Sequence, residues 1–494
     1  MICVSIGRGR HKHMIAEHRH LVEQGAELVE LRLDYIDREV NVKRLVVDRP
    51  CPVIITCRRE ADGGKWRGTE EDRLTLLRMA IAEGVDYVDL EEDIADSIPR
   101  FGKTRRIVSL HDFQKTPDDL EKIRDRLCQL DADIVKIATM ANNPHDNFRM
   151  LRMIASSPVS TVGMCMGEIG TPSRLLSGRF GAPFTYATFH HERALAPGQL
   201  SFRQMREVYH YDDINSETEI YGVIGDPIGH SLSPLLHNAA FRREALNKVY
   251  VPFRVPASHL DEFIRDCREL GVKGLSVTIP HKEAVLRHCT RVDGAVKGIG
   301  AANTLVFEDG EIVGWNTDYR AAMISLDREL KTQERPTPLA GHQALVLGAG
   351  GAARALAFGL RRRGADVVIC SRTRQRAEKL AKDIGCRALA WDDRSKVKAE
   401  VVINATPIGM HPNVDESPLD KNHLRPNAIV FDTVYNPEQT LLIKQARKRP
   451  CRVITGVEMF VGQAALQFKH FTGMDGPVDF MREQMKRAIG AVKY

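Results

Sequence analysis

The chain has 494 residues, of which 43% are hydrophobic and 28% are charged, and its formal net charge is +6. This length is too great for one hydrophobic core and predicts two or three domains. No run of 18 apolar residues occurs, so no membrane-spanning helix is expected. The ten cysteines include no C-x-x-C pair, which favours reduced thiols in a cytoplasmic protein without a metal site. The basic excess lies in the second half without interleaved aromatic residues, so nucleic-acid binding is not expected.

Short runs of β-branched residues recur along the first part of the chain. Amphipathic segments such as Glu70–Glu83 and Pro117–Leu130 lie between them, with apolar residues at helical spacing. This alternation predicts an α/β fold, a parallel (β/α)8 TIM barrel over residues 1–211, with its chemistry at the C-terminal strand ends. The predicted strands are Cys3–Ile6, Leu28–Leu33, Val53–Cys57, Tyr87–Glu91, Ile107–Leu110, Ile134–Ala138, Ser160–Met164 and Thr185–Phe189.

Lys136 is the most informative residue of this half. It lies in mid-strand between Val135 and Ile137, so its amine should point into the barrel, where burial favours the neutral nucleophile that a Schiff base requires. His111 follows the preceding strand and is a candidate general base. Taken alone, Lys136 could be a buried lysine paired with a carboxylate, and His111 a satisfied core histidine. At adjacent strand ends, the two together favour imine formation with proton abstraction.

The first half also carries six short motifs in a fixed order: E-L-R, T-C-R, H-D-F, V-K-I-A, P-S-R and A-P-G-Q. In this set and order the half resembles type I 3-dehydroquinate dehydratase. The resemblance implies that Lys136 forms the imine, His111 is the general acid/base and Arg174 binds the substrate carboxylate. It implies further substrate contacts from Glu30, Arg32, Arg58 and Gln199.

Two positions depart from that family. Asp62 precedes Gly63 and Gly64 where the family usually has glutamate, so its carboxylate reaches one methylene less far towards His111. Leu195 precedes A-P-G-Q where the family often has serine. The second departure predicts the loss of one substrate hydrogen bond, about 1 kcal/mol for a neutral pair.

An acidic stretch separates the two halves. Residues 212–219 fit neither pattern and are expected to form a linker of at most roughly 26 Å when extended. The second domain is then residues 220–494.

The second half opens with a strand that runs into the loop G-D-P-I-G-H-S-L-S-P, and Pro234 suits the first turn of a helix. Ser231 and Ser233 could be helix caps, or they could bind a small carboxylate near the helix N-terminus. Two later strand ends are polar and reach Lys282 and Asp318. A lysine just after proline is, taken alone, more often surface than catalytic.

A glycine-rich turn, G-A-G-G-A-A at residues 348–353, follows the predicted strand Ala344–Leu347 and precedes a helix and the strand Asp366–Cys370. This context predicts a Rossmann dinucleotide-binding fold. An NAD site usually has an acidic residue after the second strand. Here S-R-T-R-Q-R occupies residues 371–376, and its arginines suit the 2′-phosphate of NADP. The alternative is a solvated helix start.

The second half resembles shikimate dehydrogenase through S-V-T-I-P-H-K, A-A-N-T, N-T-D and N-A-T-P-I-G-M besides the two loops above. The resemblance implies that Lys282 and Asp318 are the catalytic pair. The implied substrate contacts are Ser231, Ser233, Thr278, Asn303 and Gln463. The implied NADP(H) contacts are Gly348, Ala349, Gly350, Gly351, Ala352, Ser371, Arg372, Thr373, Arg376, Thr406 and Gly456.

The resemblance also implies two lobes. Residues 220–320 and 460–494 would form the substrate lobe and residues 340–455 the NADP-binding Rossmann lobe. A polar stretch, Arg328–Ala340, is expected to connect them in an extended form. Ala321 replaces a common glycine, and Ser371 replaces an asparagine that contacts the adenine ribose.

Together the resemblances imply a bifunctional shikimate-pathway enzyme. It would dehydrate 3-dehydroquinate to 3-dehydroshikimate through a Schiff base and reduce the product to shikimate with NADPH. No nucleic acid or membrane partner is expected, and a homo-oligomer stays open. Three alternatives are a non-catalytic regulator built from the same folds, a second site that oxidises quinate, and a lysine aldolase barrel. The complete catalytic set disfavours the first, and Arg174 with the A-P-G-Q loop disfavours the third.

Overall fold

The computed structural model describes residues 1–190, 192, 194–330 and 339–491. Cα packing divides the chain into two units, of which the first holds Met1–Gly222, Pro227–Gly229 and Leu246–Gly271 and the second the other described residues. Within the described ranges, no helix is both long and apolar enough to cross a membrane.

The first sheet consists of eight parallel strands. They are β1 (Ile2–Ile6), β2 (Leu28–Arg32), β3 (Val53–Thr56), β4 (Tyr87–Glu91), β5 (Arg105–Asp112), β6 (Ile134–Met140), β7 (Thr161–Met166) and β8 (Thr185–Thr188). Their order is β7-β6-β5-β4-β3-β2-β1-β8, so every sequential pair except β7 and β8 is hydrogen-bonded, and β1 pairs with β8. The predicted (β/α)8 barrel is confirmed as a nearly closed ring.

Helices lie between most of these strands, while only a 3-10 turn, Ala95–Ser97, lies between β4 and β5. They are α1 (His11–Glu23), α2 (Val42–Val46), α3 (Glu70–Ala82), α4 (Leu120–Cys128), α5 (His145–Ala155), α6 (Thr171–Leu176) and α7 (Phe202–Glu207). Several predicted bounds were wrong at the ends. Leu33 begins a 3-10 turn, and Cys57 and Phe189 lie beyond their strands. β5 is longer than predicted because its ladder with β6 continues to Asp112. The helix predicted from Pro117 begins only at Leu120.

The barrel interior changes from apolar to polar along the strands. Cys3, Leu28, Ile54 and Phe184 belong to a buried apolar cluster. Side chains two positions further along each strand point to the same side. These positions include the polar residues Ser5, Glu30, Thr56, Asp89, Ser109 and Lys136.

The predicted linker is a short pair of turns rather than an extended tether. Tyr211 is buried before it, and its hydroxyl lies 2.9 Å from Ser177 Oγ. At the other end, Arg179 Nε donates to Thr218 O at 2.6 Å, and Thr218 Oγ1 donates to Asn247 Oδ1 at 2.6 Å. Both ends of the segment are therefore held by specific hydrogen bonds.

The second sheet is mixed and has the order β10-β9-β11-β13-β14-β12, with β13 antiparallel to β11 and β14. Its strands are β9 (Glu219–Gly225), β10 (Lys248–Arg254), β11 (Val272–Val277), β12 (Arg291–Val292), β13 (Thr304–Glu308) and β14 (Glu311–Trp315). The accompanying helices are α8 (Ser233–Arg243), α9 (Leu260–Leu270), α10 (Gly294–Ile299) and α11 (Thr317–Leu330).

The third sheet is parallel throughout, in the order β17-β16-β15-β18-β19-β20, which confirms the predicted Rossmann fold. Its strands are β15 (Gln343–Leu347), β16 (Asp366–Ser371), β17 (Arg387–Ala390), β18 (Val401–Asn404), β19 (Ile429–Asp432) and β20 (Arg452–Ile454). The remaining helices are α12 (Gly351–Arg362), α13 (Arg374–Ile384), α14 (Leu441–Lys448), α15 (Gly456–Thr472) and α16 (Val478–Ala491). The predicted extended connection was wrong at its start, because Arg328–Leu330 is helical; residues 331–338 lie outside the described residues.

Candidate active sites

Lys136 lies in the middle of β6 and is 5% exposed. Its Nζ donates to Asp89 Oδ2 at 2.7 Å and lies 3.6 Å from Glu30 Oε1. The ring of Tyr186 lies on another side, with its centroid 4.2 Å from Nζ. The amine therefore points into the barrel as predicted, where its Nζ lies close to two buried carboxylates in the resting site.

Asp89 connects the charged groups of this site. Its Oδ1 accepts hydrogen bonds from Arg58 Nη2 at 2.8 Å and from Ser109 Oγ at 2.6 Å, while Oδ2 accepts from Lys136. Burial by itself would raise the pKa of Asp89, but the adjacent Arg58 and Lys136 outweigh it and hold the pKa well below its usual value. Asp89 is thus a permanent anion that orients Lys136.

His111 lies near the end of β5, beside Arg58 and Phe113. Arg58 Nη1 lies 2.6 Å from His111 Nδ1, and the Phe113 ring stacks on the imidazole at a centroid distance of 6.3 Å. Desolvation, followed by the charge of Arg58, holds the pKa of His111 well below its usual value. His111 is therefore neutral near pH 7 and able to accept a proton.

Asp62, at the position of the family's glutamate, interacts with a different partner. Its Oδ2 accepts from Arg59 Nε at 2.6 Å. No hydrogen bond joins Asp62 to His111 in the described part of the chain. In this conformation the Asp62 carboxylate binds Arg59 of its own loop rather than the histidine.

Arg174 lies on α6 and is a buried cation, 1% exposed. Its contacts are weak: Nη1 lies 3.3 Å from Met164 Sδ, and Nη2 donates to Pro197 O at 3.3 Å. Among the described residues, Nε has no hydrogen-bond partner and no carboxylate pairs with the guanidinium. Burial lowers the pKa of Arg174 to about 10. A buried cation without a counter-ion is unfavourable, and an incoming carboxylate would satisfy it.

The other predicted barrel residues are held by local partners. Arg32 pairs with Asp34 through two hydrogen bonds of 2.9 and 2.8 Å, and Glu30 accepts from Ser5 and Thr56. One cavity brings the predicted set together; its lining includes Glu30, Arg32, Arg58, Asp62, His111, Lys136, Arg174, Leu195 and Gln199. Ser5, Met164 and Tyr186 also line it and were not predicted. The period-2 alternation along β1, β7 and β8 is the signal that could have found them.

In the second domain Lys282 and Asp318 form a close pair. Lys282 Nζ donates to Asp318 Oδ2 at 2.6 Å, although 36 positions separate the residues. Lys282 follows β11, and Asp318 lies in the first turn of α11. The structure therefore places the predicted catalytic pair in direct contact.

Asn303 fixes the turn that carries Asp318. Its Oδ1 accepts from Thr317 N at 2.7 Å, and its Nδ2 donates to Thr317 Oγ1 at 2.9 Å. Gln467, which was not predicted, donates to Asn303 O at 3.1 Å and accepts from Ser276 Oγ at 2.8 Å. It lies four residues after Gln463 on α15, and this i, i+4 spacing was the signal that could have found it. Gln463 Nε2 donates to Phe460 O at 3.0 Å.

The hydroxyl side chains predicted to bind the substrate lie at the start of α8 and the end of β11. Ser231 Oγ accepts from Ser233 N at 3.3 Å, Leu232 is the N-cap residue of α8, and Ser233 begins the helix. Thr278 is half-buried, and its amide donates to Ile224 O at 2.9 Å. Neither serine is therefore the N-cap residue of α8, and their substrate contacts stay a prediction.

The backbone of the glycine-rich turn after β15 passes close to a neighbouring segment and leaves space in front of the next helix. Gly348 has φ of +116°, and a Cβ there would lie 2.6 Å from Ala405 O, so only glycine fits. A Cβ at Gly350 would have no heavy atom of the described residues within 4 Å apart from its chain neighbours, and α12 begins at the next residue. This helix N-terminus is flanked by Ala349, Gly351 and Ala352. Its free backbone N–H groups suit the binding of a pyrophosphate.

Two further predicted cofactor contacts have clear local roles. Thr406 follows β18, and its Oγ1 donates to Asn404 Oδ1 at 2.7 Å. A Cβ at Gly456 would lie 2.3 Å from Val434 O, so glycine is needed for the close approach at the start of α15. Ala321 lies where α11 and α15 cross, because a Cβ at Gly462 would come within 3.2 Å of Ala321 Cβ.

The end of β16 carries the predicted 2′-phosphate site. Ser371 ends the strand, and Thr373 precedes α13. Arg372 and Arg376 are exposed and have no acidic partner in the part of the chain that the structure describes. The neighbouring Arg374 differs, because its Nε pairs with Glu378 Oε1 at 2.7 Å. Two unpaired guanidinium groups are thus available to an anion.

The fold and these sites define a chain of two catalytic domains, a Schiff-base lyase barrel and a dinucleotide-dependent oxidoreductase. Family models agree with this class. The model described as type I 3-dehydroquinase matches residues 2–216, and that of the shikimate dehydrogenase substrate binding domain matches 223–305. The shikimate 5′-dehydrogenase C-terminal domain matches 456–486, and an NADP oxidoreductase model, coenzyme F420-dependent, matches 344–435.

Individual relatives point to the same family. The chain is 38% identical over 511 residues to the chloroplastic bifunctional 3-dehydroquinate dehydratase/shikimate dehydrogenase of Arabidopsis thaliana, covering 99% of this chain and 84% of that protein. It is 43% identical over 282 residues to the NADP(+) shikimate dehydrogenase of Methanopyrus kandleri, covering 55% of this chain and 96% of that protein. A crystal structure of shikimate dehydrogenase with NADP+ superposes with a TM-score of 0.52 and 37% identity, over 56% of this chain and 97% of that chain. The chain belongs to the bifunctional 3-dehydroquinate dehydratase/shikimate dehydrogenase family.

Proposed function

We propose that the chain dehydrates 3-dehydroquinate to 3-dehydroshikimate at the barrel site and reduces this product to shikimate with NADPH at the second site. The observation that carries the proposal is the buried, uncompensated guanidinium of Arg174 in the cavity of Lys136 and His111. A carboxylated ketone would satisfy that cation while its carbonyl faces the amine.

The barrel chemistry follows from the protonation states of its residues. Deprotonated Lys136 attacks the ketone carbon, and the carbonyl oxygen leaves as water, which gives an iminium. The iminium acidifies the neighbouring carbon, and neutral His111 takes that proton. Protonated His111 then gives its proton to the departing hydroxyl group. Hydrolysis of the iminium releases the product and restores Lys136.

Entry of the substrate requires the site to open. The cavity around Lys136 has a volume of about 60 Å³, whereas ligand pockets are typically ≈ 300 Å³ or more. Leu195 and Ala196 form part of its wall, and Gln199 ties this loop by accepting from Leu195 N at 2.9 Å. Movement of the 195–199 loop would admit the substrate and bring Gln199 to it.

The second reaction uses the Lys282–Asp318 pair. NADPH, when bound, supplies the hydride. Lys282 stabilises the developing alkoxide and, with Asp318, holds the proton at the reacting oxygen. Asn303 keeps Asp318 in place through Thr317. Arg372 and Arg376 would hold the 2′-phosphate.

The domain boundaries and the location of the protein are part of the proposal. We assign residues 1–211 to the dehydratase, 212–219 to the junction and 220–494 to the dehydrogenase. The buried Tyr211 at the end of the barrel supports the first boundary. All ten cysteines are free thiols, which supports a reducing compartment such as the cytoplasm.

The test supplies 3-dehydroquinate and NADPH together and follows shikimate formation and NADPH loss. Lys136→Ala should abolish dehydration but leave the reduction of 3-dehydroshikimate intact, and Lys282→Met should do the reverse. Lys122→Ala, at an exposed lysine of α4, is the matched control and should change neither rate. Borohydride with 3-dehydroquinate should trap an adduct on Lys136. Absence of that adduct by mass spectrometry would rule out the imine mechanism.

A further inference from the structure

Tyr186 is a buried residue of the dehydratase cavity to which no motif assigns a role. It lies on β8, is 4% exposed and lines the same cavity as Lys136 and Arg174. Its hydroxyl oxygen is fully buried and has no hydrogen-bond partner among the described residues. A reactive cavity thus contains a phenol whose polar atom is unused in the resting site.

The unused hydroxyl is unfavourable for the free protein. A buried hydroxyl without a partner loses its hydration and gains nothing in return, and phenylalanine would fill nearly the same space. Burial, followed by the charge of Glu30, raises the pKa of Tyr186 well above its usual value. The group therefore stays protonated and is a hydrogen-bond donor to whatever enters the cavity.

The aromatic ring of Tyr186 also lies next to the reacting amine of Lys136. Lys136 Nζ lies 4.2 Å from the ring centroid, within the range of a cation–π contact. Phe184 packs edge-on against the ring at a centroid distance of 5.6 Å, which restricts its orientation. The imine nitrogen is Lys136 Nζ itself, so the same ring face would lie beside the positive charge of the iminium.

We propose that Tyr186 is a further catalytic residue of the dehydratase, whose ring stabilises the cationic Lys136 nitrogen and whose hydroxyl donates a hydrogen bond to an oxygen of the bound substrate. No bond to Tyr186 forms or breaks. The proposal rests on the proposed dehydratase function, and it deepens that function by adding a contact at the reacting nitrogen.

Tyr186→Phe tests the hydroxyl, and Tyr211→Phe is the matched control. Tyr211 is also buried, but its hydroxyl has Ser177 Oγ as a partner at 2.9 Å. Tyr186→Phe should lower kcat/KM for 3-dehydroquinate about 5- to 30-fold without lowering the unfolding midpoint. Tyr211→Phe should lower the midpoint and leave kcat/KM within about twofold. A Tyr186→Phe enzyme with wild-type kcat/KM would overturn the hydroxyl contact.

Tyr186→Leu tests the ring. Because it removes the π face as well, the fraction of enzyme trapped by borohydride at a fixed substrate concentration should fall a further fivefold or so below that of Tyr186→Phe. Equal trapping in the two variants would refute the ring's role. If wild-type protein itself forms neither adduct nor 3-dehydroshikimate, the proposed function fails, and that outcome is distinct from failure of either variant.

Discussion

Replacing Arg174 by methionine should stabilise the free protein while it impairs the dehydratase. Methionine keeps most of the apolar stem and removes the guanidinium. In the free chain that group is buried, 1% exposed, and among the described residues it has only weak contacts to Met164 and Pro197. The substitution therefore removes a cost from the free enzyme and a binding contact from the substrate complex.

The magnitude follows from the shifted ionisation of Arg174. Burial lowers its pKa from the ordinary arginine value to about 10, and at about 1.4 kcal/mol per pKa unit this corresponds to about 3 kcal/mol of destabilisation while the group is charged. The penalty is present below the folded pKa and is relieved as pH rises through about 10, so it is constant between pH 6 and 8. We expect Arg174→Met to raise the free energy of unfolding by about 1–3 kcal/mol, because lost packing offsets part of the gain.

The same substitution should lower kcat/KM for 3-dehydroquinate by about 30- to 5000-fold, since a buried charge-assisted contact contributes about 2–5 kcal/mol. Reduction of 3-dehydroshikimate in the other domain should not change. Stability is measured by native-state hydrogen exchange at β6 and β7, which reports on the barrel rather than on the whole chain.

Arg106→Met is the matched control. Arg106 is also buried, but its guanidinium donates to the backbone oxygens of Ala95, Ile98, Leu130 and Asp131. Its removal leaves these acceptors unsatisfied and should destabilise the barrel by about 3 kcal/mol or more. If Arg174→Met destabilised the barrel as much as Arg106→Met does, the reasoning that Arg174 is an uncompensated cation would be refuted.

Two further predictions concern the Rossmann domain. Replacing Arg372 and Arg376 together by serine should raise KM for NADPH at least tenfold with little change in KM for NADH. Arg374→Ser, at the arginine paired with Glu378, is the control and should leave the ratio of the two KM values unchanged. If the double variant kept the wild-type preference for NADPH over NADH, the assignment of the 2′-phosphate site would be wrong. Asp432 is buried, and burial raises its pKa to about 6, so its contribution to stability is present below pH 4 and is lost as pH rises through 6. Asp432→Asn should therefore be more stable than wild type at pH 8 by up to about 3 kcal/mol and should lose that advantage at pH 4, as measured by urea unfolding at both pH values.

Much of the architecture could be predicted because strand and helix periods are local properties. Tyr87–Glu91 has the bounds that the sequence pattern predicts, and the predicted strands Ala344–Leu347 and Asp366–Cys370 each differ from the structure by one residue at one end. The ends were less predictable where a neighbouring strand decides them. β5 extends to Asp112 because β6 offers hydrogen-bond partners up to Thr139, and no feature of β5 itself reports this.

The site residues divide in the same way. Lys136 and His111 could be named from residue type and position at adjacent strand ends, whereas Lys282 and Asp318 were named through the resemblance to shikimate dehydrogenase. The partner of Lys136 could not be named, because Asp89 lies 47 positions away in sequence. For Tyr186, the only sequence feature that indicated a place in the site was the alternation of side chains along β8. For Gln467 it was the spacing from Gln463.

The sequence by itself determined that the chain has two α/β domains, which strands carry reactive side chains and where a dinucleotide turn occurs, since each of these depends on nearby residues. Only the tertiary structure decided the charges at the sites. It showed that Lys136 Nζ is paired with Asp89, that Arg174 is a buried cation without a carboxylate among the described residues, and that Arg372 differs from Arg374 in having no acidic partner there. These are properties of distance and burial in three dimensions, and electrostatic energies depend on both.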